Sequence, residues 1–162
     1  MNQKEVNVPE VIEALDKLTF RLNSRQKLLS EAASKAYPHT RYLQPEVYYE
    51  RVIYYDLSDL FLVFRQFNVG GFWALRIDID INECVGIEIK LEEELTALNI
   101  QRLLGQVVYY QTRKYNKNLI VVIVGRSENY KKVPKIVELE YILSTLGITL
   151  YYLNPFLRLI LE

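Results

Sequence analysis

The sequence predicts an α/β domain in which helices flank a central mixed β-sheet. Three strand-like segments joined by short turns come first, and the two later strand-like segments are separated by helical ones. Strands connected through helices are usually parallel neighbours, so the sheet should be antiparallel in its first half and parallel in its second. The uninterrupted apolar run at residues 119–125 is typical of a strand that is covered on both faces.

Turn residues and apolar periodicity assign the elements in order. Residues 9–36 are predicted to be helical, as one helix or two, and a second helix should run from Pro45, at its first turn, to about Leu57. The strands predicted after them cover residues 60–67, 76–81, 86–91, 119–125 and 148–152. Helices are expected between the later strands, at residues 95–115 and 133–146.

We interpret residues 1–162 as a single domain. Residues 1–44 would form a helical N-terminal extension, residues 45–152 the core, and residues 153–162 a short apolar helix. The first residues lack the apolar core of a signal peptide, and no apolar run approaches the length of a membrane span. We therefore expect a cytoplasmic protein without a membrane partner.

Composition limits the kind of metal site that the chain can build. One cysteine excludes an internal disulfide and a cysteine-rich zinc site, and the single histidine, His39, excludes a histidine cluster. Any metal must therefore be bound by oxygen atoms.

The most informative residues are the charges on the second and third strands. In ArgIleAspIleAspIle and GlyIleGluIleLysLeu, a period of two sends the charged residues to one face and the isoleucines to the other. A hairpin loop at residues 82–84 would place Asp78 opposite Glu88, whereas a loop at residues 83–85 would place Asp80 there. The first register is favoured because asparagine suits a turn better than valine does.

Two opposed carboxylates would repel each other unless a cation lay between them, because directly opposed Cβ atoms are only about 4.5–5.5 Å apart. The pair therefore predicts a divalent metal site. On the second helix, Glu46 and Glu50 share a face with Ile53 and Leu57, so they should also lean toward the sheet. The competing interpretation is an ordinary half-exposed strand on which Glu88 and Lys90 pair in solvent.

The order of elements, with Asp78, Glu88 and Lys90 on adjacent strands, resembles the PD-(D/E)xK nuclease superfamily of restriction endonuclease-like folds. Gln106 and Tyr110, one helical turn apart, look like the GlnXxx3Tyr motif of the RecB-like branch, which also includes Holliday-junction resolvase-like enzymes. The resemblance covers roughly residues 45–152. It departs from the family in having isoleucine rather than proline before Asp78, and a second Gln–Tyr pair starts five residues later.

The resemblance implies a Mg²⁺ or Mn²⁺ ion bound by Asp78, Glu88 and the carbonyl of Ile89, with Glu46 or Glu50 assisting through water. It implies that Lys90 orients or helps to deprotonate the attacking water. Gln106 and Tyr110 would steady the site or the nucleic-acid strand.

The expected function is therefore metal-dependent phosphodiester hydrolysis, most plausibly in DNA. The alternatives are a catalytically inactive nucleic-acid-binding or assembly module of the same fold, and a structural protein whose Glu88 and Lys90 are an accidental pair. Acidic side chains outnumber basic ones in residues 51–100, and basic side chains outnumber acidic ones in residues 101–162. This distribution suits a metal site that faces a polyanion. The residues expected to bind nucleic acid are Lys17, Arg21, Arg25, Arg102, Arg113 and Lys114.

The apolar C-terminal residues predict a homodimer. Phe156, Leu157, Leu159, Ile160 and Leu161 are too many for one buried stripe on so short a helix. The alternative is that this tail folds back onto its own domain.

Overall fold

A computed structural model describes residues 5–36 and 43–156, and the side chains of all these residues except 24–36. The helices are α1 Val8–Ala36, α2 Glu46–Leu57, α3 Ala97–Tyr110 and α4 Pro134–Thr145. The strands are β1 Val63–Asn68, β2 Arg76–Ile81, β3 Val85–Leu91, β4 Leu119–Val124 and β5 Thr149–Leu153. Single turns of other helix types occupy Glu92–Glu94, Gln111–Tyr115 and Tyr130–Lys132.

The five strands form one mixed sheet in the order β1-β2-β3-β4-β5. The pairs β1–β2 and β2–β3 are antiparallel, and the pairs β3–β4 and β4–β5 are parallel. The predicted α/β class and the change from antiparallel to parallel pairing are thus confirmed.

Helices cover both faces of the sheet. On one face, α1 and α2 pack against isoleucines of β2 and β3, and Leu15 of α1 and Ile53 of α2 are almost completely buried there. On the other face, α3 and α4 bring Val107 and Leu139 onto β4. Every residue of β4 is buried, as the apolar run predicts for a central strand.

The β2–β3 hairpin has the predicted three-residue loop at residues 82–84. Asp80 pairs with Gly86 and Ile81 with Val85, so the alternative register, which would oppose Asp80 to Glu88, is not formed. Asn82 and Glu83 have φ values of 52° and 57°. Asparagine tolerates this left-handed conformation better than most residues, which is why the turn forms there.

Several predicted boundaries differ from the structure. β1 begins at Val63 rather than at residue 60, because the amides of Leu60 and Phe61 bond back to Leu57 and continue the end of α2. α3 begins at Ala97 rather than at residue 95, because the Thr96 side chain caps it by accepting from the amide of Asn99.

The single helix predicted through residue 115 is instead α3 followed by the π-type turn Gln111–Tyr115. At the other end of the chain, Leu153 belongs to β5 and residues 154–156 do not continue as a helix. The prediction of a helix over residues 153–162 is therefore wrong at its start. Residues 157–162 lie outside the described part of the chain.

The predicted alternation along β2 is also wrong at one point. Ile79 and Ile81 pack on the α1–α2 face, but Ile77 packs on the α3–α4 face. Asp80 lies on the α3–α4 face as well, where it contacts Tyr115. The alternation therefore breaks at Asp78, the first β2 residue beyond the described β2–β3 pairs.

Among the described residues, none of the helices combines the length and apolar character that a membrane span requires.

Candidate active site

Asp78 lies where β2 and β3 separate. The paired residues of β2 and β3 end at Ile79 and Ile87. Beyond this pair, the acceptor for β3 is the side chain of Asp78 and not the backbone of β2. Asp78 Oδ2 accepts a hydrogen bond from the Ile89 amide over 2.8 Å. This bond ties the aspartate to the strand that carries Glu88 and Lys90.

Gln66 joins Asp78 to α2. Its Nε2 donates to Asp78 Oδ1 over 3.1 Å and to Glu50 Oε2 over 3.2 Å, while Arg65 Nε donates to Glu50 Oε1 over 3.1 Å. The backbone of Gln66 has a φ of 50°, an uncommon value for a residue within a strand. Sequence reasoning missed Gln66, although the polar pair Arg65 and Gln66 interrupts an otherwise apolar segment.

Lys90 connects the glutamate of β3 to the first turn of α2. Its Nζ lies 3.6 Å from Glu88 Oε1 and 3.8 Å from Glu46 Oε1. Glu46 thus contacts β3, and Glu50 contacts β1 through Arg65 and Gln66, so the prediction that both glutamates lean toward the sheet is confirmed. Glu88 is only 3% exposed, and its Oε2 has no hydrogen-bond partner among the described residues.

Burial and mutual repulsion change the proton affinities of this cluster. Burial, together with the negative charge of Asp78, raises the pKa of Glu88 well above its ordinary value. Burial also raises the pKa of Glu46 to about 7, although Lys90 opposes this effect. For Lys90, burial lowers the pKa, but the charges of Glu88 and Glu46 outweigh it and the net change is upward.

The charges of the cluster do not balance. Glu46, Glu50, Asp78 and Glu88 contribute four negative charges when ionised, and Arg65 and Lys90, which contact them, contribute two positive charges. The surplus of two negative charges equals the charge that one divalent cation would neutralise.

A cavity of about 260 Å³ opens beside this cluster, between β3 and α3. Its lining residues are Glu46, Lys90, Leu91, Glu94, Leu95, Asn99, Arg102 and Gln106. Gln106 Oε1 is buried there without a hydrogen-bond partner among the described residues. Gln106 and Lys90 therefore border the same space, as their predicted roles require.

Tyr110 supports the site from the side of α3. Its hydroxyl donates to the carbonyl of Arg76 over 2.8 Å. Burial raises the pKa of Tyr110, and the nearby charges of Glu88 and Asp78 raise it further, so the hydroxyl stays protonated. The second Gln–Tyr pair lies elsewhere, because Gln111 donates to the Leu146 carbonyl and Tyr115 donates to Asp80.

Asp80 has a structural environment that differs from that of Asp78. Its fully buried carboxylate accepts hydrogen bonds from the Tyr115 hydroxyl and, over 2.8 Å, from the Glu83 amide. Lys114 Nζ lies 3.8 Å from Asp80 and 3.7 Å from Glu83. These contacts hold the hairpin end against the turn after α3.

The basic residues predicted to bind nucleic acid are not gathered at one surface. On α1, Lys17 pairs with Glu13 over 3.4 Å and Arg21 pairs with Asp56, while the side chain of Arg25 lies outside the described part. Lys114 is engaged by Asp80 and Glu83. Arg102 lines the cavity, and Arg113 lies against the β1–β2 loop.

The donor chemistry fits a hard divalent cation. The cluster offers only carboxylate oxygens, and one of them, Glu88 Oε2, is buried without a partner. Among the side chains that the structure describes, however, no three acidic, histidine or cysteine groups converge as a preformed metal site. Gln66 instead provides the hydrogen bonds that Glu50 and Asp78 share.

No protein-family model matches the chain, and neither a curated protein nor a solved structure matches it.

Proposed function

We propose that this chain is a divalent-metal-dependent nuclease that hydrolyses phosphodiester bonds, with DNA as its substrate. The observation that carries the proposal is the buried Oε2 of Glu88, which has no hydrogen-bond partner among the described residues. Lys90 contacts the other oxygen of this carboxylate, and Asp78 is bonded to the amide of the next residue, Ile89. A buried carboxylate oxygen without a partner is costly, and a hard cation would compensate that cost. The resemblance to PD-(D/E)xK nucleases places the same residue types in these roles.

Asp78, Glu88 and the Ile89 carbonyl would hold the metal ion, with Glu46 or Glu50 assisting. Bound Mg²⁺ or Mn²⁺ would neutralise the surplus carboxylate charge and act as a Lewis acid toward a phosphoryl oxygen. Since Gln66 now bridges Glu50 and Asp78, its amide would have to give up at least one of these hydrogen bonds.

Lys90 would act on the reacting groups through its charge. Two carboxylates hold its ammonium group at the edge of the cavity, and a protonated ammonium donates hydrogen bonds without accepting them. We therefore assign Lys90 to orienting the attacking water and to stabilising negative charge on the phosphate. Gln106 and Arg102, which both line the cavity, would position the strand.

The test is cleavage of labelled linear, branched and circular nucleic acids with Mg²⁺ or Mn²⁺. Wild-type protein should cleave, Glu88→Gln and Asp78→Asn should not, and Glu128→Gln, an exposed glutamate beyond β4, should behave as wild type. Full activity of Glu88→Gln or Asp78→Asn would refute the assigned site. Absence of cleavage by the wild type on every substrate would refute the nuclease.

A catalytically inactive nucleic-acid-binding or assembly module is the second candidate, and Gln66 favours it. Its amide satisfies Glu50 and Asp78 without any cation. Calorimetry with Mn²⁺, combined with the cleavage assay and with a nucleic-acid-binding assay, separates this candidate from an enzyme. Metal binding without cleavage would indicate a degenerate nuclease, and nucleic-acid binding without metal binding would indicate a module that never used the metal.

We also propose that the chain forms a homodimer through its apolar C-terminal residues, since paired sites would allow both strands of a duplex to be cut. Phe156 is buried within its own chain, as the fold-back alternative predicts for it, so the proposed interface would have to come from the apolar residues that follow it in the sequence.

A further inference from the structure

The loop that connects β1 to β2, residues 69–75, presents two large aromatic side chains. Phe72 is 91% exposed and Trp73 is 70% exposed. Residues 68–76 contain no acidic side chain and end in the exposed Arg76. Adjacent aromatic rings at such exposure are typical of an interaction site.

The loop packs against α3 and against the turn after it, which carries Arg113. Gly70 and Gly71 have φ values of 79° and 81°, and a Cβ at Gly71 would lie 2.8 Å from Arg113 Nε. The Tyr109 hydroxyl donates to the Gly70 carbonyl over 2.8 Å. Only glycine permits both this backbone and the close approach of Arg113.

The same contacts orient the aromatic rings. Trp73 meets the Tyr109 ring edge-to-face, with centroids 6.0 Å apart, and Phe72 meets Trp73 in the same manner at 5.4 Å. These packed rings lose less conformational entropy on binding than freely rotating ones would.

Two arginines belong to this region: Arg113 approaches Gly70 and Gly71, and Arg76 directly follows the loop in the sequence. Arg113 and Arg76 are both exposed, and neither forms an ion pair with a carboxylate in the described part of the chain. Aromatic faces beside unpaired guanidinium groups match the chemistry of unpaired nucleic-acid bases, which offer a π-face next to a phosphate. Bases inside a duplex have both faces covered by their neighbours and do not fit as well.

The loop lies close to the proposed catalytic site along the chain. Trp73 precedes Asp78 by five residues, so the two are no more than about 18 Å apart. Stacked nucleotides rise by roughly 3.4 Å per step and unstacked ones are further apart, so this span corresponds to about five nucleotides at most. We propose that Phe72 and Trp73 stack on unpaired bases within a few nucleotides of the scissile phosphate, so that the substrate is a single strand, fork or flap. The reference to the scissile phosphate rests on the proposed nuclease function, but the stacking itself does not.

A second copy of this chain fits Phe72 and Trp73 less well than unpaired bases do. One partner of a standard interface contributes about 800 Å², whereas two aromatic side chains bury roughly 500 Å² at most. A two-fold contact centred on Phe72 would also bring Arg113 and Arg76 near their own copies, and like charges oppose such a contact.

The experiment uses Trp73 as its own reporter, because it is the only tryptophan in the chain. Full-length protein in EDTA is titrated with an oligothymidylate, a forked duplex and a blunt duplex, while tryptophan emission and the anisotropy of the labelled nucleic acid are recorded. The single strand and the fork should quench Trp73, and the blunt duplex should do so much less. Phe72→Ala should weaken binding of the single strand by roughly fivefold or more, and Phe72→Tyr should restore it.

The matched control is Tyr141→Ala, which removes an aromatic side chain on α4 that is 71% exposed, similar to Trp73. It should leave affinity and quenching unchanged. The inference is overturned if nucleic acid fails to bind, if it binds without quenching Trp73, or if Phe72→Ala binds as the wild type does. It is also overturned if Phe72→Ala alters only the sedimentation of the protein, which would identify a contact between copies.

Failure of this inference is distinguishable from failure of the nuclease. Quenching without metal-dependent cleavage would leave the stacking element intact in a binding module. Cleavage with no quenching would leave the nuclease intact and remove the stacking element.

Discussion

The substitution Glu88→Gln should stabilise the metal-free protein and remove its stabilisation by a divalent metal. In the metal-free protein it removes a carboxylate that is almost fully buried, has one unpartnered oxygen, and lies beside the negative charge of Asp78. The new amide can donate to Asp78, so repulsion is replaced by attraction. The metal-free variant should therefore be more stable than the wild type.

The magnitude follows from the cost of an unsatisfied buried group. That cost is about 1–3 kcal/mol. For a chain of this size each kcal/mol changes the melting temperature by about 2–4 °C, so the expected rise is roughly 2–12 °C. With metal at a hundred times its dissociation constant, the wild type should gain about 2.7 kcal/mol that the variant lacks.

The difference should also depend on pH. The pKa of Glu88 is raised by burial and by Asp78, so the metal-free protein loses stability as pH rises above the ordinary glutamate value of 4.5. Below that value the folded and unfolded states are both protonated and the penalty vanishes. The glutamine variant should lack this contribution, and the two melting curves should converge as the pH falls toward 4.

Differential scanning fluorimetry in EDTA and in Mn²⁺ measures all three quantities, with Glu128→Gln as the control for loss of one negative charge. A metal-free Glu88→Gln protein that melts below the wild type would refute the reasoning about burial. A variant that is stabilised by Mn²⁺ as strongly as the wild type would refute Glu88 as a metal ligand.

Lys90→Ala should lower the cleavage rate by roughly two orders of magnitude or more while calorimetry still detects the metal, because the role we propose for the lysine is toward water and phosphate and not toward the metal. Asp78→Asn should abolish cleavage, whereas Asp80→Asn should mainly lower stability, by about 1–3 kcal/mol in urea unfolding, because it weakens a buried hydrogen-bonded network. Gln66→Gly should be more stable than Gln66→Ala by about 1 kcal/mol, since both lack the amide but only glycine relieves the positive φ. A chain ending after Phe156 should be monomeric by light scattering at concentrations where the intact chain is a dimer.

Each of these results has a contrary outcome. Unchanged turnover in Lys90→Ala would reassign Lys90 to a simple ion pair, and inactivity of Asp80→Asn with activity of Asp78→Asn would reverse the two aspartates. Equal stability of the two Gln66 variants would argue against backbone strain. The truncation after Phe156 keeps the buried residues Asn154 and Phe156, so it should not disturb the fold. If the intact chain is itself monomeric, the dimer is refuted.

The parts of the fold that the sequence predicted well depend on local signals. The asparagine at the start of the hairpin turn, the unbroken apolar β4 and the glycine after α4 each act over a few residues, and each element formed where expected. The boundaries that moved depend on competition between neighbours. Residues 60–62 are as apolar as a strand, yet the amides of Leu60 and Phe61 bond to Leu57 at the end of α2, and the amide of Leu62 bonds to the Asn82 side chain.

The site could be predicted only where it follows from strand periodicity. Glu88 and Lys90 lie together because they are two residues apart on β3, whereas Asp78 joins them through its hydrogen bond with the Ile89 amide, at the point where the alternation of β2 breaks. Gln66 could not be predicted in the same way, because its role depends on β1 meeting α2 across the sheet edge and on a backbone angle that no local pattern specifies.

The distribution of charge argues for a metal-dependent enzyme over a binding module. Burying Glu88 costs stability, and the four carboxylates, when ionised against two cations, create a field that repels phosphate. A protein that only binds nucleic acid gains from neither effect, and neutral residues would improve both its stability and its affinity. Under the proposed function, a divalent cation held by Asp78 and Glu88 would reverse both effects, since it would neutralise the surplus of two charges and favour a phosphate beside Lys90. The hydrogen bonds of Gln66 keep Glu50 and Asp78 in position without the cation, but they leave the free oxygen of Glu88 without a partner.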